Sequence, residues 1–220
     1  MMGKQIAVIG LGRFGSSLAK TLARLNVEVL AVDLDEERVR EISSYVTSAV
    51  QADATDISVL RDLGIRNFDV VVVGMSRFEA SLMTTLHLKE LGVEKVVVKA
   101  ASDVHGKILK QIGADSVVFP EKDMGERVGF SLVSGSVIDH IELADNCTVA
   151  EIEIPNELTG RTLRNLNLRN QYGLTVMAIK RNNAVNISFS PDEPLKEGDV
   201  LVAIGETEGV HKLNAEFEKR

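Results

Sequence analysis

Short runs of apolar residues alternate with amphipathic segments from the start of the chain to residue 119. A short, wholly apolar run is typical of a strand buried on both faces of a parallel sheet, and the amphipathic segments are typical of covering helices. The pattern predicts strands over Ile6–Ile9, Val27–Val32, Thr47–Ala52, Asp69–Val73, Lys95–Ala100 and Ser116–Phe119. It predicts helices over Ser16–Leu25, Asp35–Ser43, Ile57–Leu63, Phe78–Leu91 and Val104–Ile112. We therefore predict an α/β fold with a doubly wound parallel sheet.

The pattern changes after Pro120. A helix is predicted over Glu121–Val133, followed by a hinge at 134–136. Shorter, alternating strands are then predicted over Thr148–Ile154, Leu174–Ile179, Val185–Phe189 and Val200–Ile204, with a last helix over Val210–Phe217. We expect three parts: a nucleotide-binding domain at 1–120, a crossover helix and hinge at 121–140, and a small α+β domain at 141–220. A domain of that size buries little surface alone, which favours dimerisation.

The segment Lys4–Asp33 combines a strand, a glycine-rich turn, a helix, a second strand and an acid. Gly10 permits a tight turn, Gly12 lets the backbone approach a pyrophosphate, and Gly15 lets the helix pack against the sheet. The helix start then presents free N–H groups to the phosphates. Asp33 is placed to bind a ribose diol, although helix N-capping also fits this residue. The arrangement is the Rossmann-like dinucleotide-binding fingerprint.

Ligands of open parallel sheets bind beyond the carboxyl ends of the strands. The candidate nucleotide-binding residues are therefore those that follow the predicted strands. They are Gly10, Gly12, Arg13, Phe14, Gly15, Asp33, Asp35, Asp53, Ala54, Thr55, Gly74, Met75, Ser76, Lys99 and Glu121.

Four of these candidates each fit two interpretations. Arg13 lies at a variable position of the glycine turn and favours a diphosphate or triphosphate, but a solvated arginine also fits. Asp53 could accept a hydrogen bond from an adenine amino group or cap the following helix. Lys99 could bind phosphate or lie as a lysine on the surface. Glu121 fits either a divalent cation held with phosphates or an acid at a helix N-terminus.

Composition narrows the possible classes of function. The formal net charge of −7 argues against a nucleic-acid partner, and the single cysteine, Cys147, excludes a disulfide framework. No P-loop motif, membrane-spanning run or signal-peptide pattern is present, which favours a cytoplasmic protein. No catalytic partner is evident for any of the scattered histidines, which are His87, His105, His140 and His211.

Several motifs together resemble a known family, the cytosolic RCK (regulator of K⁺ conductance) subunits of bacterial Ktr/Trk potassium uptake systems. In the first domain these motifs are IGLGRFG with Asp33, LGIRNFD at Leu63–Asp69, VKA at Val98–Ala100, IGAD at Ile112–Asp115 and PEKDMGERV at Pro120–Val128. In the second they are LNLRNQYGLTVMAIKR at Leu166–Arg181 and EGDVLVAIG at Glu197–Gly205. The resemblance covers essentially the whole chain.

The resemblance implies a regulatory subunit rather than an enzyme. Such subunits bind ATP or ADP, form a homo-octameric ring built from dimers, and gate a membrane potassium channel-forming subunit from the cytoplasmic face of the membrane. It implies that Arg13 and Lys99 lie near the phosphates, that Asp33 and Asp35 lie near the ribose, and that Glu121 helps to hold Mg²⁺ or Ca²⁺.

The resemblance also implies a cyclic di-AMP site in the second domain. That site would place Arg169 on a phosphate and Pro191 near an adenine.

Two alternative functions remain at this point. One is a small NAD(H)-binding oxidoreductase or redox sensor, against which the missing catalytic pair and Arg13 both count. The other is a scaffold that holds AMP or NAD for purely structural reasons.

Overall fold

The computed structural model describes residues 3–133, 137–182 and 184–217. The chain forms two compact units, and the boundary between them lies between Lys122 and Asp123. The hinge predicted at 134–136 lies outside these described residues. Each unit has its own buried apolar core.

The first unit contains a sheet of six parallel strands. The strands are β1 (Gln5–Ile9), β2 (Glu28–Asp33), β3 (Ser48–Gln51), β4 (Val70–Val73), β5 (Val96–Lys99) and β6 (Ser116–Val118). The helices between them are α1 (Arg13–Arg24), α2 (Glu36–Ser43), α3 (Ile57–Asp62), α4 (Phe78–Glu90) and α5 (Asp103–Ile112), and α6 (Pro120–Val133) follows β6. The strand order is β3-β2-β1-β4-β5-β6, which reverses direction at β1. This order is the doubly wound, Rossmann-like arrangement, so the predicted fold class is confirmed.

Both faces of this sheet are buried, which explains the unbroken apolar runs. On β1, Ala7 and Ile9 belong to one core cluster, whereas Ile6 and Val8 belong to a second. Successive side chains of a strand point to opposite faces, so each cluster packs beneath a different layer of helices. The sheet is therefore packed on both faces, and its carboxyl edge positions the loops that follow the strands.

The second unit contains an antiparallel sheet. Its strands are β7 (Val137–Ala144), β8 (Cys147–Glu153), β9 (Thr175–Arg181), β10 (Ala184–Asn186) and β11 (Val200–Gly205), in the order β10-β9-β11-β8-β7. In the described ranges, the helices that follow its strands are α7 (Leu163–Leu166), α8 (Leu168–Tyr172) and α9 (Thr207–Phe217), and the boundary between the units falls within α6. The α+β class predicted for this part of the chain is therefore confirmed.

Several details of the second unit differ from the sequence-based prediction. The sequence pattern does not predict strand β7. The register of β7 shifts on both sides of the segment from Asp139 to Glu142, and these shifts interrupt the alternation of side chains that identifies a strand. Strand β10 ends earlier than predicted, because the Asn186 side chain accepts a hydrogen bond from the Ser188 N–H at 2.9 Å and turns the chain.

None of the helices in the described ranges combines the length and the apolar character needed to cross a membrane.

The glycine turn after β1 depends on two close backbone contacts. Gly10 has a φ of +93°, and a Cβ at this position would lie 2.9 Å from the backbone nitrogen of Met75. A Cβ on Gly15 would overlap the carbonyl oxygen of Gly10. Helix α1 therefore packs directly against the turn, as the sequence predicts for these two glycines.

We predict that Gly15→Ala lowers the free energy of unfolding by about 2 kcal/mol, because the added methyl group must displace backbone. Urea denaturation of the first unit measures this change. Gly12→Ala is the matched control in the same turn, because a Cβ there meets no atom within 4 Å. We expect a loss below about 1 kcal/mol for the control. Equal stability of the two variants would contradict the close packing of α1.

Candidate functional site

A cavity of about 1220 Å³ opens at the carboxyl ends of β1 to β4. A cavity of this size accommodates a nucleotide. Its wall includes residues from the loops that follow all four strands, as well as residues from α4. Of the predicted site residues, it contains Gly10, Gly12, Arg13, Asp33, Asp35, Asp53, Ala54, Thr55, Gly74, Met75 and Ser76.

Helix α1 presents its N-terminus to this cavity without a side-chain cap. Gly12 is the N-cap residue, no side chain accepts a hydrogen bond there, and the first turn contains no acidic residue. The first N–H groups of a helix have no partner within the helix, and the helix dipole makes this end positive. The turn from Gly10 to Arg13 is therefore suited to binding an anion, above all phosphate.

Asp33 lies at the end of β2 and is only 9% exposed. One carboxylate oxygen accepts the Leu11 N–H at 2.5 Å, and the other accepts the Asp35 N–H at 2.9 Å. Each carboxylate oxygen has a second lone pair, so the group can still accept hydrogen bonds from a ribose diol. Asp33 thus fixes the glycine turn and faces the ligand cavity at the same time.

The acid that caps α2 is Asp35. Its carboxylate accepts the Glu37 N–H at 3.0 Å, so the N-cap interpretation of Asp33 is wrong. Arg38 lies between the two acids, with nitrogen–oxygen distances of 3.6 Å to Asp33 and 3.4 Å to Asp35. Its guanidinium holds this acidic edge of the cavity together.

Asp53 follows β3 and is held by its neighbour Thr55. One oxygen of Asp53 accepts both the Thr55 hydroxyl, at 2.6 Å, and the Thr55 N–H, at 3.0 Å. These hydrogen bonds hold the pKa of Asp53 below its ordinary value, so its carboxylate is ionised. Helix α3 is capped instead by Asp56, which accepts the Ser58 N–H at 2.8 Å. The helix-cap interpretation of Asp53 is therefore wrong.

The loop after β4 forms part of the cavity wall. The Gly74 N–H donates a hydrogen bond to the carbonyl oxygen of Ile9 at 2.7 Å, which joins this loop to the end of β1. The buried Thr84 hydroxyl lies 3.1 Å from the carbonyl oxygen of Ala54 and 3.6 Å from the sulfur of Met75. Helix α4 is thereby joined to the loops after β3 and β4, and the position of Met75 in the cavity wall is set.

Lys99 and Glu121 do not line the cavity but pair with each other. Lys99 is 7% exposed, and its ammonium group lies 2.5 Å from the carboxylate of Glu121. The hydrogen bond from Lys99 holds the pKa of Glu121 below its ordinary value, with a smaller contribution from Arg13. Phe14 and Gly15 also lie outside the wall, because Phe14 packs on the apolar core and Gly15 lies against Gly10.

A divalent cation held between Glu121 and the phosphates of a ligand stays a prediction. The described residues contain no cluster of three or more His, Cys, Asp or Glu side chains that could hold a metal ion. Glu121 also already has a cationic partner in Lys99.

The cavity wall also contains charged residues that the sequence interpretation missed. The sequence could have indicated Arg38, because residues three apart at a helix start lie close together and Arg38 is three residues after Asp35. Arg77 follows Ser76 directly, but it lies one residue beyond the loop that the strand pattern singled out. The additional charged lining residues are Arg38, Glu41, Arg77 and Glu79.

The two residues suggested for cyclic di-AMP, Arg169 and Pro191, share no hydrogen bond within the described ranges. Arg169 is exposed on α8, whereas the Pro191 carbonyl accepts the Arg164 N–H at 3.0 Å. A cyclic di-AMP site at Arg169 and Pro191 stays a prediction.

The fold and the cavity define a class of protein in which a Rossmann-like nucleotide-binding domain is followed by a small α+β domain. Residues 6–120 match the TrkA-N domain family, and residues 149–218 match the TrkA-C domain family. Ktr system potassium uptake protein C of Bacillus subtilis (strain 168) is 44% identical over 220 residues, which are 100% of this chain and 98% of that protein. The chain therefore belongs to the RCK regulatory subunits of the Ktr/Trk potassium uptake family.

Two solved structures are also similar. The GsuK channel bound to NAD matches with a TM-score of 0.54 and 25% identity, over 100% of this chain and 39% of that one. GsuK bound to ADP matches with a TM-score of 0.53 and 27% identity, over 59% of this chain and 34% of that one. The chain thus spans well under half of each GsuK chain.

We predict that Glu121→Gln lowers the free energy of unfolding by about 1 kcal/mol at neutral pH, because the buried Lys99 loses its charged partner. The folded-state pKa of Glu121 is depressed from its ordinary value of 4.5. Its stabilising contribution is therefore complete above that value and is lost as the pH falls through the folded-state pKa. Urea denaturation at neutral and at acidic pH measures both effects.

Glu41→Gln is the control, since Glu41 forms no ion pair with any residue in the described ranges. A Glu121→Gln effect that stays constant as the pH falls below 4.5 would contradict the ion pair as its cause.

Proposed function

We propose that this protein is a nucleotide-binding regulatory subunit that gates a membrane potassium channel subunit of the Ktr/Trk type. In this role it binds ATP or ADP in the cavity of the first unit and responds to which of the two is bound. It works as part of a homo-octameric ring built from dimers, at the cytoplasmic face of the membrane.

The similarity to Ktr system potassium uptake protein C carries this proposal. It extends over both units of the chain and nearly the whole of that relative, so the two proteins share a domain organisation and not only a nucleotide-binding fold. The GsuK structures with NAD and with ADP support a nucleotide as the ligand of the first unit.

The described contacts support one orientation of the ligand. The phosphates lie over the turn from Gly10 to Arg13, where helix N–H groups and a guanidinium neutralise them. The ribose lies at Asp33, which retains lone pairs for its hydroxyl groups. The adenine lies towards Asp53, whose ionised carboxylate accepts the exocyclic amino group.

Arg13 favours ATP or ADP over NAD as the ligand. Its side chain is exposed, lines the cavity, and forms no ion pair or hydrogen bond with another side chain in the described ranges. A free guanidinium beside the phosphate turn suits terminal phosphate oxygens, which NAD lacks. The oxidoreductase alternative also needs a catalytic group, and none is evident beside the cavity. We also propose that Glu121, which pairs with Lys99 here, helps to hold Mg²⁺ or Ca²⁺ together with the phosphates of the bound nucleotide.

ATP and ADP differ only in the γ-phosphate, so any difference in their effects on the protein must arise from contacts with this group. A ligand shifts a conformational equilibrium only by its difference in affinity for the two states, at about 1.4 kcal/mol for each tenfold preference. Arg13, placed to contact that phosphate, is the residue through which such a preference would arise.

We predict that Arg13→Gln weakens ATP binding about tenfold, the effect expected from losing a charge-assisted hydrogen bond. Binding of AMP changes less than about threefold, because AMP lacks the outer phosphates. Isothermal titration calorimetry on the full chain measures both constants. Arg24→Gln, an exposed substitution at the far end of α1, is the control and leaves both unchanged. An equal loss for ATP and AMP would contradict the role of Arg13 at the outer phosphates.

Potassium uptake tests the regulatory role itself. A bacterium without its own potassium uptake systems is given the Ktr-type membrane subunit from the same genome, with or without this chain. We expect the bacterium to grow at low potassium only when the chain is present. We expect Gly12→Ala to reduce this growth, because a methyl group at position 12 obstructs the approach of the phosphates. Uptake that is equal with and without the chain would overturn the proposed function.

A further inference from the structure

Arg38 of α2 lies beside the residue proposed to bind the ribose. Its Nη1 atom is 3.6 Å from the carboxylate of Asp33, and its Nε atom is 3.4 Å from the carboxylate of Asp35. The side chain is half exposed and lines the cavity. The proposed function places the ribose at Asp33 but assigns the guanidinium of Arg38 no contact with the nucleotide.

The two acids fix the orientation of this guanidinium. They lie beside different nitrogens of one planar group, whose N–H bonds point outward within the plane. Asp33 is itself held by the N–H groups of Leu11 and Asp35, so it is a fixed partner for Arg38. Ion pairs at the edge of a guanidinium leave its flat faces available for other contacts. Arg38 therefore presents an oriented, flat cation at the cavity wall.

The cavity continues past Asp33 along α2 and towards the end of β3. Asp35, Arg38 and Glu41 all line the wall, and their spacing of three residues places them along one face of the helix. Strand β3 pairs with β2 on the side opposite β1, and the Ala52 N–H donates to the Asp33 carbonyl oxygen at 3.0 Å. The glycine turn follows β1, so this part of the wall offers space beyond the ribose on the side away from the phosphates.

An apolar side chain is exposed in the same part of the wall. Leu34 lies between the two acids in the sequence, is 61% exposed, and lines the cavity. Ligand cavities use such apolar side chains to cover apolar parts of the ligand. The phosphates are charged and the ribose is polar, so the flat base is the part of a nucleotide that suits both Leu34 and the face of Arg38.

We propose that Arg38 is a specificity-determining residue that stacks its guanidinium on the adenine ring of the bound nucleotide. The inference rests on the proposed function, because it requires an adenine nucleotide with its ribose at Asp33. A guanidinium plane stacks favourably on an aromatic ring, and the attraction strengthens where water is excluded. The two rings of a purine cover more of the guanidinium than the one ring of a pyrimidine, so this contact favours adenine over uracil.

The competing role for Arg38 is to hold Asp33 in place for the ribose. The two roles differ in which nucleotides depend on Arg38. A residue that acts through Asp33 matters only for a nucleotide with ribose hydroxyls, whereas a stacking residue contributes to any nucleotide with the same base. The probe 2′,3′-dideoxy-ADP separates the two roles, because it keeps the adenine and both phosphates but lacks both hydroxyls.

The test is calorimetric titration of the full chain and of Arg38→Gln with ADP, 2′,3′-dideoxy-ADP and UDP. A nucleotide that binds too weakly for direct titration is measured by its competition with ADP. We expect Arg38→Gln to weaken both adenine nucleotides about fivefold and UDP less than about twofold. Arg38→Lys should behave like Arg38→Gln, because lysine keeps the charge but has no planar face.

Arg40→Gln is the matched control and should bind all three nucleotides like the unaltered chain. It removes an exposed arginine of the same helix that pairs with Glu36 at 2.7 Å and lies outside the cavity wall.

Four results would overturn the inference while leaving the proposed function intact. They are a loss confined to ADP, an equal loss for UDP, unchanged binding by Arg38→Gln, and full rescue by Arg38→Lys. Failure of the unaltered chain to bind ADP would overturn the proposed function and this inference together.

Discussion

The contact between Gly15 of α1 and the carbonyl oxygen of Gly10 is the constraint on which the first unit depends. It brings the N-terminus of α1 against the end of β1, where the order of the strands reverses. The uncapped N–H groups of the helix then face the cavity, and Asp33 anchors the turn through the Leu11 N–H. A larger residue at position 15 would separate these parts, and the anion-binding turn would lose its geometry.

Charges of both signs alternate along the carboxyl edge of the sheet. Three arginines line the cavity, and each is associated with different acids. Arg38 lies 3.6 Å from Asp33 and 3.4 Å from Asp35, whereas the charges of Arg77 and Arg13 contribute to the lowered pKa values of Asp53 and Glu121. The net charge of −7 therefore conceals a local alternation of sign. In the proposed function, this alternation lets the cavity bind phosphates at one end and donor groups of the sugar and base towards the other.

Much of the fold could be predicted from the sequence, because strands buried on both faces leave unbroken apolar runs such as Ile6–Ile9. Strand β7 could not, since its irregular register removes the alternation that identifies a strand. In the site, the glycine turn and the strand-end acids were predictable from spacing. The pairing of Lys99 with Glu121 was not, because it joins the ends of two different strands through a contact that only tertiary packing creates. Arg77 depends in the same way on where α4 packs.

The central claim is that the cavity at the ends of β1 to β4 binds an adenine nucleotide with its phosphates on the glycine turn. A crystal structure of the full chain with ADP tests this claim most directly. The account predicts pyrophosphate oxygens within hydrogen-bonding distance of the N–H groups at the start of α1 and ribose hydroxyls on Asp33. ADP bound elsewhere on the chain, or bound here with its phosphates away from the turn, would contradict it.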